Sequence, residues 1–184
     1  QLGIYFDLKA LPYLVNALKD EDERVVEQAI YSLGVFGRED TIEPIINCLN
    51  SVSEPVKFAA IKVLGEMQTN LVVAPFGKLL KDSNPKIRLA AAKALGQIGD
   101  KKGLYFLIDA INDPDLDVVY AIIIALTQIK DKEAIPAIIQ QLENPSDEIK
   151  YVSALALGKF RDDRIIKPLI KMLSSTNPKL RLAA

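Results

Sequence analysis

The chain has 184 residues, 49% of them hydrophobic, so it can bury an extended core. Its 23 basic and 24 acidic side chains give a net charge of −1, which argues against a general nucleic-acid binder because such proteins need a basic surface. There is no histidine and one cysteine, Cys48, which excludes histidine-based catalysis, histidine metal ligation and an intramolecular disulfide within this chain. A lone cysteine fits a reducing cytoplasm, where we expect the protein, and no apolar run reaches the roughly 18 residues of a membrane span.

A helix-capping residue recurs along the chain every 31 residues. Each member of this cap series is a residue type that favours the N-cap position of a helix. The members are Asp22, Ser53, Asn84, Asp115, Ser146 and Asn177. An aliphatic residue follows each cap by three positions, and a leucine follows the first five caps by eleven. A fixed period of about 20–50 residues is typical of a solenoid, in which each repeat buries its apolar side against its neighbours.

Each period is predicted to hold two antiparallel helices. The first helix carries apolar residues at helical spacing, and most first helices have a proline near their start, where the missing N–H has no partner in any case. The second helix begins at a member of the cap series. A glycine follows its leucine in four of the five complete periods, at Gly34, Gly65, Gly96 and Gly158. Because glycine costs about 1 kcal/mol in a helix interior, its recurrence predicts a packing or helix-end role.

The predicted repeats run through the whole chain, 1–184, as a single array. Complete repeats are predicted at 8–38, 39–69, 70–100, 101–131 and 132–162. Residues 1–7 are predicted to be the tail of an incomplete repeat, and residues 163–184 the beginning of another. Because free ends of such arrays need polar capping repeats, we expect a monomeric array that is part of a longer chain.

The third repeat carries a resemblance to a known family. The run from Asn84 to Asp100, NPKIRLAAAKALGQIGD, resembles the HEAT-like repeat of phycobilisome lyases, and the resemblance covers essentially the whole chain. It implies an all-α, right-handed αα-superhelix whose second helices line the concave side. In that family a basic residue after the first aliphatic often pairs with an acid of the adjoining loop. Here Val26 and Val119 replace this basic residue, so the series of ion pairs along the array, here called the basic ladder, would be incomplete. Its exposed pairs would contribute little to stability.

If the second helices form the concave wall, the fifth, ninth and thirteenth residues after each cap face the groove. These positions supply aromatic, aliphatic and lysine side chains, which are typical of an interaction surface. The predicted partner-binding residues are Tyr31, Phe58, Lys62, Leu89, Lys93, Tyr120, Ile124, Tyr151, Leu155 and Lys159. We therefore predict a groove for an extended peptide or an amphipathic helix. The alternative is that neighbouring second helices bury this row as part of the core.

Three functions fit these features. The first is a non-catalytic protein-interaction scaffold or adaptor within a larger repeat protein, with a protein or peptide partner and with no cofactor or metal. The second, which the resemblance implies, is a bilin lyase or chromophore-handling chaperone subunit. Its groove would hold a tetrapyrrole among Phe58, Tyr120 and Tyr151, with Lys62 or Lys93 near the propionates. The third is a nucleic-acid-binding superhelix, which the few lysines of the wall disfavour. We expect the first, and therefore no enzyme.

Overall fold

The computed structural model describes residues 8–184, so the predicted repeat tail at 1–7 lies outside the described residues. Every regular element in this part of the chain is a helix, which confirms the all-α prediction. The chain divides into two compact units, Gln1–Pro75 and Phe76–Ala184, here called the N-unit and the C-unit. The predicted repeat boundaries stay a prediction.

The N-unit contains four complete helices. They are α1 (Leu11–Ala17), α2 (Glu23–Phe36), α3 (Glu39–Cys48) and α4 (Glu54–Glu66), with short 3-10 turns at Leu8–Ala10 and Asn70–Val72. The next helix, α5 (Val73–Leu79), contains the boundary between the units. In the N-unit the two second helices, α2 and α4, pack side by side, and α1 and α3 cover them. The core of this unit therefore lies between a layer of second helices and a layer of first helices.

The C-unit repeats the same arrangement. Its helices are α6 (Pro85–Ile98), α7 (Lys101–Ala110), α8 (Leu116–Ile129), α9 (Ile135–Gln140), α10 (Asp147–Leu157), α11 (Ile166–Met172) and α12 (Pro178–Ala183). Short 3-10 turns precede α9 and α11, and another follows α9. The second helices α6, α8, α10 and α12 are neighbours in that order. They form one continuous layer, which presents one side chain per turn to the surface opposite the first helices.

All six members of the cap series are helix N-caps, as predicted. The side chain of each accepts a hydrogen bond from the backbone N–H two or three residues later, which satisfies a donor that has no partner within the helix. The helices that begin this way are α2, α4, α6, α8, α10 and α12. Each such cap contributes about 1 kcal/mol, so the caps help to fix where every second helix begins.

Two further polar series share this period, and sequence reasoning missed both. The residue two positions before each cap accepts a hydrogen bond from the backbone N–H of the cap residue. These residues are Asp20, Ser51, Asp82, Asp113, Asn144 and Ser175. The first helices after α4 have caps of their own, at Thr69, Asp100, Asp131 and Asp162. The inter-helix loops are therefore held by side chains at both helix starts.

The core positions follow the predicted spacing with one exception. The leucine eleven positions after each of the first five caps is buried, and so is the aliphatic residue three positions after the cap in α4, α6, α8, α10 and α12. The exception is Val25 in α2, which is 40% exposed, whereas the next residue, Val26, is 7% exposed. The prediction for Val25 is therefore wrong. Helix α8 has the preceding second helix α6 beside it, but no second helix precedes α2 within residues 8–184, and Val25 borders an open surface beside Leu14 and Ala17 of α1.

Two of the recurrent glycines allow neighbouring helices to approach closely. A Cβ atom on Gly34 would lie 2.5 Å from Cγ1 of Val63, and one on Gly96 would lie 2.7 Å from Cα of Ala125. Gly158 differs, because the nearest atom to its Cβ would be 3.5 Å away and the residue ends α10. Both predicted roles, packing and helix end, therefore occur at different positions in the series.

One member of the expected basic ladder is buried. Arg88 donates from Nε to Oδ2 of Asp113 at 2.7 Å and from Nη2 to Oδ1 at 2.8 Å. Its Nη1 also donates to the backbone carbonyls of Asp82 at 2.9 Å and Ser83 at 3.2 Å. The side chains of Arg88 and Asp113 are only 11% and 5% exposed. The expectation of a small contribution from exposed pairs therefore does not apply here, because breaking a buried pair leaves an unpaired charge.

Candidate functional site

The second-helix face of the C-unit carries exposed apolar side chains on two adjacent helices. Tyr120 and Ile124 lie one turn apart on α8, and Tyr151 and Leu155 occupy the equivalent positions on α10. Tyr120 is 43% exposed and Tyr151 is 38% exposed. The alternative in which the row is buried core therefore fails for this part of it. Four large apolar side chains instead lie together at the surface, here called the apolar row.

A depression of about 260 Å³ lies between α6 and α8 beside the apolar row. It is lined by Lys93 and Gln97 of α6 and by Tyr120, Ala121, Ile124 and Gln128 of α8. Leu89, one turn before Lys93 on α6, is half-buried. The lining of this depression combines apolar side chains with amide and ammonium groups, which suits a side chain with both apolar and polar parts.

Lys159 occupies a different position from the one predicted. Helix α10 ends at Leu157 and Gly158 is its C-cap, so Lys159 lies just beyond the helix rather than on its last turn. Its backbone N–H still donates to the carbonyl of Ala156, and the residue lines a depression of about 300 Å³ together with Leu155. The side chain is exposed at the end of the apolar row.

The exposed apolar surface extends beyond the four residues of the apolar row. Leu116, the first residue of α8, is exposed one turn before Tyr120. Leu182 is exposed on α12, the next second helix after α10, as the fifth-position pattern suggested. Sequence reasoning missed Leu116, although the first position after a cap lies on the same helix face as the fifth and ninth positions.

The charges on this face are segregated. Lys93 lies in the second half of α6 and Lys159 just beyond the end of α10, and neither forms an ion pair with any residue of the described chain. Asp117 and Glu148 lie in the first turns of α8 and α10, where a carboxylate is favoured by the helix dipole. A ligand crossing the second helices would therefore meet lysines along one side of the apolar row and carboxylates along the other.

The corresponding face of the N-unit has a different character. The Nζ atom of Lys62 lies 5.5 Å from the centroid of the Tyr31 ring, a cation–π contact within one unit. Tyr31 and Phe58 are half-buried. A depression of about 490 Å³ here includes Val35 and Glu66 together with Tyr31 and Lys62. The predicted residues are therefore at the surface in this unit too, but the lysine is already engaged with the tyrosine.

Residues 8–184 bring together no group of three His, Cys, Asp or Glu side chains that could hold a metal ion. Cys48 is buried, and burial raises the pKa of its thiol, so it is a weak nucleophile. No helix in the described part of the chain is both long enough and apolar enough to cross a membrane.

Comparison with known proteins agrees with the helical-repeat fold. The sequence profile for HEAT repeats matches residues 2–65, 42–126 and 135–184, and the profile for the PBS lyase HEAT-like repeat matches residues 118–144. A comparison with curated protein sequences finds no match.

Several solved structures share the fold at low sequence identity. A chain of the CpcE–CpcF complex of phycocyanin lyase from Nostoc sp. PCC7120 aligns with a TM-score of 0.68 and 21% identity, covering 94% of this chain and 74% of that one. A designed armadillo repeat protein aligns at 0.61 and 18%, covering 94% and 96%. Human deoxyhypusine hydroxylase aligns at 0.56 and 18%, covering 95% and 82%. Because the HEAT-repeat profile matches most of the sequence, the chain belongs to the HEAT repeat family.

Proposed function

We propose that this chain is a non-catalytic protein-interaction scaffold, a cytoplasmic segment of a larger repeat protein. Its C-unit would bind a peptide or an amphipathic helix across the second helices. The observation that carries this proposal is the apolar row, in which Tyr120, Ile124, Tyr151 and Leu155 are all exposed on adjacent helices. Contiguous exposed apolar surface of this kind usually marks an interaction site, and tyrosines often supply most of the binding energy.

The charges beside the apolar row indicate the chemistry of the partner. A bound segment would place apolar side chains on the row and carboxylates near Lys93 and Lys159. These lysines are exposed, so they would mainly speed association and select the orientation of the partner, while the apolar contacts would supply the affinity. We therefore expect a partner segment with an acidic side and an apolar side.

A display selection followed by matched variants tests this proposal. Peptides of about 16 residues would be selected on the immobilised chain, and the dissociation constant of an enriched peptide would be measured by fluorescence anisotropy. Replacing two hot-spot residues typically costs at least about 2 kcal/mol, or roughly thirtyfold in affinity, so Tyr120→Ser with Tyr151→Ser should weaken binding by that much. The control is Tyr105→Ser with Ile170→Ser, which removes exposed apolar side chains from the first helices α7 and α11 instead. Equal weakening by both pairs, or no enriched peptide, would contradict the proposal.

A chromophore-handling role is the second candidate. Two observations favour it, the likeness to the CpcE–CpcF complex of phycocyanin lyase and the PBS lyase HEAT-like match over residues 118–144, which contain Tyr120 and Ile124. The C-unit would then hold an open-chain tetrapyrrole on the apolar row, with Lys93 near its propionates. Incubation with a free bilin should shift and intensify its visible absorbance, and the shift should be lost in the Tyr120→Ser, Tyr151→Ser variant. An unchanged bilin spectrum would rule this role out.

A further inference from the structure

The loops between first and second helices contain a recurring binding site for a guanidinium group. In the C-unit, Nη1 of Arg88 donates to the carbonyls of Asp82 and Ser83, which lie two residues and one residue before the cap of α6. Arg181 does the same in α12, donating from Nη1 to the carbonyls of Ser175 at 2.8 Å and Thr176 at 3.0 Å. The same two loop positions therefore bind an arginine at both ends of the C-unit.

The space that the arginine side chain fills can also be filled by other polar side chains. In α8 the equivalent residue is Val119, which is buried. There Gln141 donates from Nε2 to Oδ1 of Asn112 at 2.8 Å, and Asn144 donates from Nδ2 to Oε1 of Gln141 at 2.8 Å. Gln141 is buried, so this chain of amides joins two successive loops much as Arg88 joins the loops at Asp82 and Asp113. A valine at the arginine position is thus compensated within the C-unit.

Within residues 8–75, the N-unit has the valine without either compensation. Two periods before Arg88 stands Val26, and three periods before Gln141 stands Cys48. Neither side chain is long enough to join the loops before α2 and α4. A cavity of about 720 Å³ lies between those loops, and Val26 and Cys48 are both in its lining together with Leu18, Pro44 and Val52. The register therefore identifies this cavity with the space that a guanidinium or a glutamine occupies in the C-unit.

The rim of the cavity carries the acceptors that a guanidinium needs. The carbonyls of Asp20 and Glu21 correspond by register to those that accept from Arg88, and within residues 8–184 neither accepts a hydrogen bond from the protein. The side chains of Asp20, Glu21 and Glu23 line the rim beside a single lysine, Lys19. Ser53 donates from Oγ to Oε2 of Glu23 at 2.5 Å, which holds one wall of the cavity in place.

We infer that this cavity binds the guanidinium group of an arginine side chain that a partner protein presents. Two of the five N–H donors would reach the carbonyls of Asp20 and Glu21, as those of Arg88 and Arg181 do on their own loops. The aliphatic stem would lie against Val26 and Leu18, and the rim carboxylates would balance the charge. The planar fork of arginine fits a pair of adjacent carbonyls better than the point charge of lysine does. This site lies wholly in the N-unit and does not rest on the proposed function of the apolar row.

The test uses the 184-residue chain and the blocked tripeptide acetyl-Gly-Arg-Gly-amide, followed by backbone amide shifts in NMR titrations. Saturable shifts are expected at Glu21 and Ser51, on the two loops that border the cavity. The analogue with citrulline in place of arginine has the same shape without the charge. It should bind at least about tenfold more weakly, because charge-assisted hydrogen bonds are roughly twice as strong as neutral ones.

Two variants close the cavity from within the chain. Val26→Arg supplies the guanidinium that Arg88 supplies in α6, and Cys48→Gln supplies the amide that Gln141 supplies in the turn after α9. Each should abolish the tripeptide shifts while circular dichroism shows unchanged helix content, and the second decides the matter if the first does not fold. The Tyr120→Ser, Tyr151→Ser variant should bind the tripeptide like the original chain. Absence of saturable shifts, equal binding of the citrulline analogue, or full binding by a folded cavity variant would each overturn the inference.

Discussion

The N-unit and the C-unit repeat the same helices but close their loops differently. In the C-unit, Arg88 or Gln141 fills the space between successive loops, whereas in the N-unit Val26 and Cys48 leave a cavity of about 720 Å³. Helix caps are present in both units, so the second helices begin at the expected residues whether or not that space is filled. The 31-residue pattern therefore fixes the helices through their caps and core leucines, whereas the side chains that fill the space between successive loops differ from repeat to repeat.

The second-helix faces differ in the same way. In the N-unit Lys62 lies over the ring of Tyr31, so its charge is already in contact with an aromatic face. In the C-unit Lys93 lines an open depression with Tyr120 and forms no ion pair with the rest of the described chain. One repeat position thus gives an internal contact in one unit and an unpaired lysine charge in the other, which is why we propose the C-unit face as the partner-binding surface.

The largest expected effect comes from copying the N-unit residue into the C-unit. Arg88→Val removes both hydrogen bonds to Asp113 and leaves a nearly buried carboxylate unpaired, so the free energy of unfolding should fall by about 3 kcal/mol. Denaturant unfolding followed by circular dichroism measures the change. The double variant Arg88→Val, Asp113→Ser reproduces Val26 and Ser51 of the N-unit and should lose clearly less, because no carboxylate is stranded. An equal loss in both variants would show that the charge is not the cause.

A smaller effect is expected at the close-approach glycines. Gly96→Ala places its Cβ against the backbone of Ala125 and should cost about 2 kcal/mol, because α8 must move away as a whole. Gly34→Ala in the N-unit meets a methyl group of Val63 and should cost about half as much, since a side chain yields more easily than a backbone. Gly158→Ala meets no atom closer than 3.5 Å and should stabilise the chain by about 0.5 kcal/mol. Melting temperatures in the order Gly158→Ala, Gly34→Ala, Gly96→Ala, from highest to lowest, are the expected result.

The smallest effect concerns acid. Hydrogen bonds from the Arg24 side chain and then from the Arg24 backbone N–H lower the pKa of Asp22 in the N-unit from 3.8 to about 2. A carboxylate whose pKa is lower in the folded state stabilises the fold above the unfolded pKa, and that contribution disappears as the pH falls from 3.8 toward 2. Asp22→Asn keeps a good N-cap but does not titrate, so its melting temperature should decline less steeply in this range. Hydrogen bonds from the Arg164 side chain and backbone likewise lower the pKa of Asp162 in the C-unit. Asp162→Asn therefore tests the same effect in the other unit. Parallel acid profiles for the original chain and both variants would contradict the assignment.

Much of the site could be anticipated from the sequence, because helical spacing relates one residue to the next on the same face. Reading the fifth and ninth positions after each cap selected Tyr120 and Tyr151, and both are exposed. Other features could not be read this way. The burial of Val26 in place of Val25 depends on which helix lies beside α2, and the position of Lys159 depends on where α10 ends. Neither is a property of the local pattern.

The sequence by itself determined the helix starts, the period and the buried leucines, because caps and core positions act within one helix or between consecutive helices. Only the tertiary structure showed that Arg88 reaches Asp113, 25 residues further on, and that a glutamine network takes its place beside Val119. Only the structure showed the cavity beside Val26 as well. The physical reason is that a pattern of residue types gives the direction of each side chain, whereas the space between two loops depends on every side chain that reaches it.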